Sequence, residues 1–163
     1  MAEPIRILFV CMGNICRSPL AEAVFRHLAG QRGFADRFEV DSAGVSGYHE
    51  GDPPDRRSTE TARRRGVRLT GRSRPLGARD LRTFDYVIAM DTENLDGIRE
   101  LEARAGGGAR VHRLREWDPD PGDGDVPDPY YGGARGFEDV HDIVERSCAA
   151  LLDDLLEQRR ATG

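Results

Sequence analysis

The chain has 163 residues, 38% hydrophobic and 33% charged, with a formal net charge of −5. That suits one domain with one substantial core and speaks against a general nucleic-acid or anionic-membrane binder. All 24 basic residues are Arg, which excludes lysine chemistry and a Walker-type phosphate loop, and the three cysteines Cys11, Cys16 and Cys148 do not make a disulfide framework.

Residues 5–10 are apolar apart from Arg6, which predicts a central parallel strand. Leu20, Val24 and Leu28 recur every four residues and predict a helix over 18–32. Pro19 suits its first turn, where a missing N–H costs nothing. A short second strand over 38–41 runs out in Ser42-Ala43-Gly44, and an Arg-rich helix over 55–65 stops at Gly66. The third strand is 84–90, with a helix over 92–104 behind it, and the fourth strand is 110–114. Residues 115–136 form a loop rich in Pro, Asp and Gly. Residues 137–159 form a closing helix with Val140, Ile143, Val144, Ala150, Leu151 and Leu155 on one side. No run is long enough to span a bilayer and the start carries no signal-peptide pattern, so a cytoplasmic location is expected.

Strands alternating with helices imply a doubly wound α/β domain over 1–163, a four-stranded parallel sheet with helices on both faces. Such sheets bind ligands beyond the carboxyl ends of their strands. Cys11, Ser42 and Asp91 each end or follow a predicted strand, which puts all three on that edge. The long loop exceeds a plain connector, and loops of that length are often functional.

The stretch "CMGNICRSP" carries the chemistry. Fully extended, seven residues reach roughly 20 Å, so Cys11 and Arg17 meet one ligand only if the segment curls. Gly13 and Asn14 tolerate the left-handed backbone that a curl needs. A curled loop turns N–H groups inward, and the helix behind it adds its positive end. Such a nest suits a tetrahedral dianion such as phosphate, gripped by the Arg17 fork. It also favours the thiolate of Cys11, a nucleophile for phosphoryl transfer, with Ser18 able to donate a hydrogen bond to the sulfur. A phosphate ester leaves faster if its oxygen is protonated, and one carboxylic acid suffices. Composition leaves Asp118, Asp120 and Asp128 equally open, each before a proline. Four scattered histidines give no metal-binding pattern.

The loop, together with "DPYYG" at 128–132, resembles the low-molecular-weight protein tyrosine phosphatases over almost the whole chain. "DSAGVS", "FDYVIAMDTENL" and "FEDV" add weaker matches. The resemblance implies that Cys11 is the nucleophile, that Arg17 binds phosphate, and that Asp128 is the general acid and base, leaving Asp118 and Asp120 as turn residues. It implies that Met12, Gly13, Asn14, Ile15, Cys16 and Ser18 line the phosphate site, and that Tyr48, Tyr130 and Tyr131 wall the crevice. It makes Ser42 the partner of Asn14 and Cys11–Cys16 a reversible disulfide pair. Asp91 has two readings, an orienter of Arg17 and the loop or an N-cap for the helix that follows. Related protein-arginine phosphatases carry Thr where this chain has Ile15, whose branched apolar side chain favours an aromatic leaving group. The family usually has His where this chain has Gly71. A thioredoxin-coupled arsenate reductase of the same fold needs further cysteines on a mobile segment, and 70–95 has none. A phosphate-binding module needs neither Cys11 nor Asp128. The expectation is a monomer acting on phosphotyrosine proteins, without cofactor, metal, nucleic acid or membrane.

Overall fold

The computed structural model describes residues 3–129 and 133–162. β1 (Ile5–Cys11) buries Ile7, Leu8, Phe9 and Val10 completely. A strand covered on both faces needs such an unbroken apolar run. It pairs in parallel with β2 (Phe38–Gly44) on one side and β3 (Tyr86–Ala89) on the other, and β4 (Arg110–Arg113) pairs outside β3. The sheet order is β2-β1-β3-β4.

Side-chain alternation along β1 divides the core in two. Ile7, Phe9 and Cys11 face α1 (Arg17–Gln31) and α5 (Gly133–Thr162), among Leu20, Val24, Phe25, Val144, Leu151 and Leu155. Leu8 and Val10 face the other layer, where α3 (Asp80–Thr83) supplies Leu81 and α4 (Thr92–Ala105) supplies Ile98. Phe25 sits between Phe9 and Phe38, with ring centroids 6.1 and 5.0 Å away. α2 (Arg56–Arg64) packs on α5, where Arg65 reaches both Glu138 and Asp142 at 2.6 Å. Helices cover both faces of a four-stranded parallel sheet, as the alternation implies. No helix among the described residues is long and apolar enough to cross a membrane.

Several boundaries differ from the sequence expectation. β2 runs through Ser42 to Gly44 because these small residues pair with Phe9–Cys11 of β1, so Ser42 lies inside the strand. α3 is a four-residue helix that is too short to show periodicity. α1 begins at Arg17, and α5 begins at Gly133, which shortens the preceding loop. The expected third strand is trimmed to Tyr86–Ala89.

Candidate active site

Cys11 ends β1 and Arg17 begins α1, so residues 12–16 turn between the sheet and the helix. The carbonyls of residues 11–13, 15 and 16 are tied outward. Cys11 O accepts from Val45 N and Met12 O from Ser46 N, both at 2.9 Å. Gly13 O accepts from Ser73 Oγ at 2.9 Å, Ile15 O from Asp55 N at 2.7 Å, and Cys16 O from Ser58 Oγ at 3.3 Å. In a trans peptide the N–H points opposite its C=O, so carbonyls drawn outward turn the amides to the inside of the curl. Asn14 N accordingly donates to Cys11 Sγ at 3.3 Å. Asn14 takes the left-handed backbone, with φ 55°. Gly13 is not at positive φ; its role is room, since a Cβ there would meet His49 Cδ2 at 2.9 Å. Gly44 is needed for the same reason, because a Cβ would come 2.9 Å from Met12 O. No side chain caps α1 and no acidic residue lies in its first turn, so its positive end is left to the curl.

Under the curl runs a buried polar chain. Ser18 Oγ lies 2.9 Å from Cys11 Sγ. Asn14 Nδ2 donates to Ser18 Oγ at 2.8 Å and to Ser42 Oγ at 2.9 Å, while Asn14 Oδ1 accepts from Arg74 N at 3.0 Å. Ser42 Oγ in turn donates to Glu22 Oε1 at 2.7 Å. The Asn14–Ser42 pairing that the resemblance implies is therefore present, and it extends to Glu22 and Arg74.

Arg17 is buried and its guanidinium is shared among three partners. Nη1 donates to Asp91 Oδ2 at 2.6 Å and to Val126 O at 3.0 Å, and Nη2 lies 3.6 Å from Asp128 Oδ2. Val126 N donates to Met90 O, which ties the long loop to the end of β3 two residues before Asp128. Asp91 makes the contacts of both readings, since its Oδ1 also caps α4 through Asn94 N at 2.7 Å. Asp118 is buried and fixes the same loop: it accepts from Arg115 and Arg146 at 2.9 and 2.8 Å and from Asp120 N. Burial alone would raise its carboxyl, but Arg146, the Asp120 N–H and Arg115 hold it below the ordinary range.

Above Cys11 opens a cavity of about 490 Å³ lined by Met12, Gly13, Ile15, Cys16, Arg17 and Asp128, with Ser46, Tyr48 and His49 at its mouth. Tyr48 is 86% exposed and stands edge-on to His49 at 4.9 Å. Tyr130 and Tyr131 lie outside the described residues. Cys16 is buried, and burial pushes its thiol well up, with Asp55, Cys11 and Asp128 adding to the effect. Cys148 is wholly buried in the core, where burial likewise pushes its thiol up. Gly71 has φ 88° and borders a cavity of about 50 Å³ that reaches Asn14, Glu22 and Ser42. No group of three or more His, Cys, Asp or Glu able to hold a metal occurs among the described residues.

A family model described as low molecular weight phosphotyrosine protein phosphatase matches residues 6–161. The chain belongs to that family. The low molecular weight protein-tyrosine-phosphatase YfkJ of Bacillus subtilis is 41% identical over 157 residues, covering 96% of this chain and 99% of the relative. The crystal structure of YfkJ superposes with a TM-score of 0.89 at 40% identity, over 96% of this chain and 98% of that one. The human low molecular weight phosphotyrosine protein phosphatase is 40% identical over 90% of this chain and 93% of its own. A Drosophila arginine phosphatase superposes with a TM-score of 0.87 at 31% identity, over 93% of this chain and 98% of that one.

In this family member the structure brings Cys11, Arg17, Ser18 and Asp128 to one site, as the motif spacing and the "DPYYG" resemblance lead one to expect. Sequence reasoning misses the outer supports: Glu22, Gly44, Asp55, Ser58, Ser73 and Arg74. Signals existed for Gly44, inside the matched "DSAGVS", and for Asp55, an N-cap residue type at the start of the predicted Arg-rich helix, which its side chain caps through Arg57 N and Ser58 N. His49, next to Tyr48, also lines the cavity, with Nδ1 3.1 Å from Asp52 Oδ2.

Proposed function

We propose that the chain is a protein tyrosine phosphatase that works through a cysteinyl-phosphate at Cys11. The observation that carries this reading is the convergence of Cys11 Sγ, the Arg17 guanidinium and the Asp128 carboxyl on one cavity. The inward amides of residues 12–14, 16 and 17, the open end of α1 and the Arg17 guanidinium hold the three non-bridging oxygens of a phosphate. The Cys11 thiolate attacks phosphorus; the S–P bond forms as the P–O bond to the substrate breaks. Asp128, reaching over the mouth, gives its proton to the leaving oxygen. Water then attacks phosphorus from the vacated side and loses its proton to Asp128. The S–P bond breaks, inorganic phosphate forms, and Ser18 stabilises the departing sulfur by hydrogen bond.

Ile15 and Met12 give the cavity an apolar lining below an exposed Tyr48, which supports an aromatic leaving group over a guanidinium. The substrate is a phosphotyrosine-bearing protein, and the chain acts as a cytoplasmic monomer without metal or cofactor. Cys16 supports a redox role as well: peroxide oxidises Cys11 to a sulfenic acid, and the Cys16 thiol condenses with it, releasing water and forming a disulfide.

The test is turnover of phosphotyrosine, phosphoarginine and phosphoserine peptides side by side, without metal and under thiol reductant. Phosphotyrosine turnover well above the other two is expected. A preference for phosphoarginine would keep the loop chemistry and overturn the role given to Ile15. No turnover at all would overturn the catalytic reading in favour of a binding module.

A further inference from the structure

We propose that the cavity at the amino edge of the sheet is a second ligand site, and that it takes a monoanionic carboxylate carried on a flat apolar body.

This cavity holds about 640 Å³, larger than the one above Cys11 and within the range of small-molecule sites. Its walls come from the starts of β1, β3 and β4, from the segment that ends α3 and from the last turns of α5. β1 runs seven residues from Ile5, which lines this cavity, to Cys11, which lines the other. At the rise of a strand the two sites stand about 20 Å apart, at opposite ends of the sheet.

Its lining combines charge with apolar surface. Arg82, Arg110 and Arg159 face Glu3 and Asp85, which leaves one positive charge in excess on a chain of net charge −5. Contacts within the protein do not remove that excess. Asp85 Oδ2 accepts from the backbone N of Arg6 at 2.8 Å, and Arg159 Nη2 donates to the backbone O of Glu3. Arg82 has no side-chain hydrogen bond or ion pair among the described residues, and no carboxylate among them reaches Arg110. Ile5, Phe84 and Leu155 supply the apolar part, beside the buried ring of Tyr86.

Arg110 is nonetheless held in place. Gln158 Nε2 donates to Asp154 Oδ2 at 2.9 Å, so its Oε1 is the atom 3.4 Å from the Tyr86 hydroxyl and takes the hydroxyl proton. The Tyr86 oxygen then accepts from Arg110 Nη1 at 2.9 Å, and the guanidinium carbon lies 5.6 Å from the centre of the Tyr86 ring. The other donors of that guanidinium have no partner among the described residues. A planar carboxylate matches such a fork with two parallel hydrogen bonds. Phosphate suits this cavity less than it suits the curl above Cys11: no helix N-terminus is among the lining residues, and Glu3 and Asp85 repel a second negative charge.

The test titrates naphthalene-1-carboxylate into the isotopically labelled full chain and follows the backbone amide shifts. We expect saturable shifts at Ile5, Asp85, Tyr86, Gly108 and Arg110, and none over residues 12–17. Arg82→Ala and Arg110→Ala should each weaken binding by about tenfold, and Arg110→Lys, which keeps the charge and loses the fork, should weaken it in the same direction. Arg104→Ala, an exposed position on α4 outside the cavity, should leave binding unchanged. Naphthalene-1-carboxamide has the same shape without the charge and should bind about tenfold more weakly or not at all. The absence of saturable shifts, shifts confined to residues 12–17, or equal binding of the carboxamide overturns the proposal. Aryl-phosphate turnover, measured in the same variants, should stay at the wild-type rate. A fall in turnover that parallels the loss of binding would place the probe in the catalytic cavity and overturn the second site, while the phosphatase reading would stand.

Discussion

The Arg17 guanidinium and the Asp91 carboxylate meet at 2.6 Å, and the other oxygen of the same carboxylate caps α4. One side chain thus holds the Arg17 fork, to which phosphate binding is assigned above, and starts a helix. Asn in its place keeps a capping oxygen and removes the charge. Asp91→Asn should weaken inhibition by inorganic phosphate by about tenfold with little change in melting temperature. Asp91→Ala should lose both, with about 1 kcal/mol of stability from the missing cap. Unchanged phosphate inhibition in Asp91→Asn would show that Arg17 holds its aim without the carboxylate.

Cys11→Ser should abolish turnover and still bind phosphate analogues, because the amides and Arg17 remain. Full activity in this variant would remove the nucleophile assignment. Addition of a chelator should leave the wild-type rate unchanged.

Asp128→Ala should slow aryl phosphates with basic leaving groups by about 10²–10³-fold, and those with acidic leaving groups far less. The distinction follows from the role: an oxygen that leaves readily as its anion needs no proton. A uniform loss across leaving groups would make Asp128 a binding residue.

Much of this was legible in the residues. The alternation of apolar strand, loop and helix gives the doubly wound sheet, and the spacing of Cys11 and Arg17 gives an anion-binding curl. Asp128 was separable from Asp118 and Asp120 only by its "DPYYG" context, since all three precede proline. The structure shows the physical difference: Asp118 is enclosed by Arg115 and Arg146, while Asp128 stands partly exposed over the cavity. Glu22, Ser73 and Arg74 were not legible. Glu22 belongs to an ordinary helix pattern, and the other two lie in a segment without periodicity, brought under the curl by tertiary packing alone.

His141 on α5 is wholly buried with neither ring nitrogen hydrogen-bonded; Arg65 opposes its charging, while Glu145, whose Oε2 lies 3.4 Å from Nε2, Asp142 and Glu138 favour it. Burial, then Arg65, lowers its pKa in the folded chain below the unfolded value. The unfolded state therefore binds the proton more tightly. Stability is fully present above the ordinary histidine range and falls as pH drops through it. Melting temperature should decline from pH 7.5 to 5.5 more steeply in the wild type than in His141→Phe. Parallel declines would assign the acid sensitivity elsewhere.

The outward ties of residues 11–16 come from Val45, Ser46, Asp55, Ser58 and Ser73, which are scattered along three separate stretches of the chain. A seven-residue peptide copied from this loop would hold none of them. The anion site is therefore a property of the completed fold, and a ligand that occupies it binds the native state alone. By mass action, inorganic phosphate should act as a folding reagent, adding about 2.7 kcal/mol at a hundred times its dissociation constant. The same dianion that the reaction releases would thus guard the protein against unfolding wherever it accumulates.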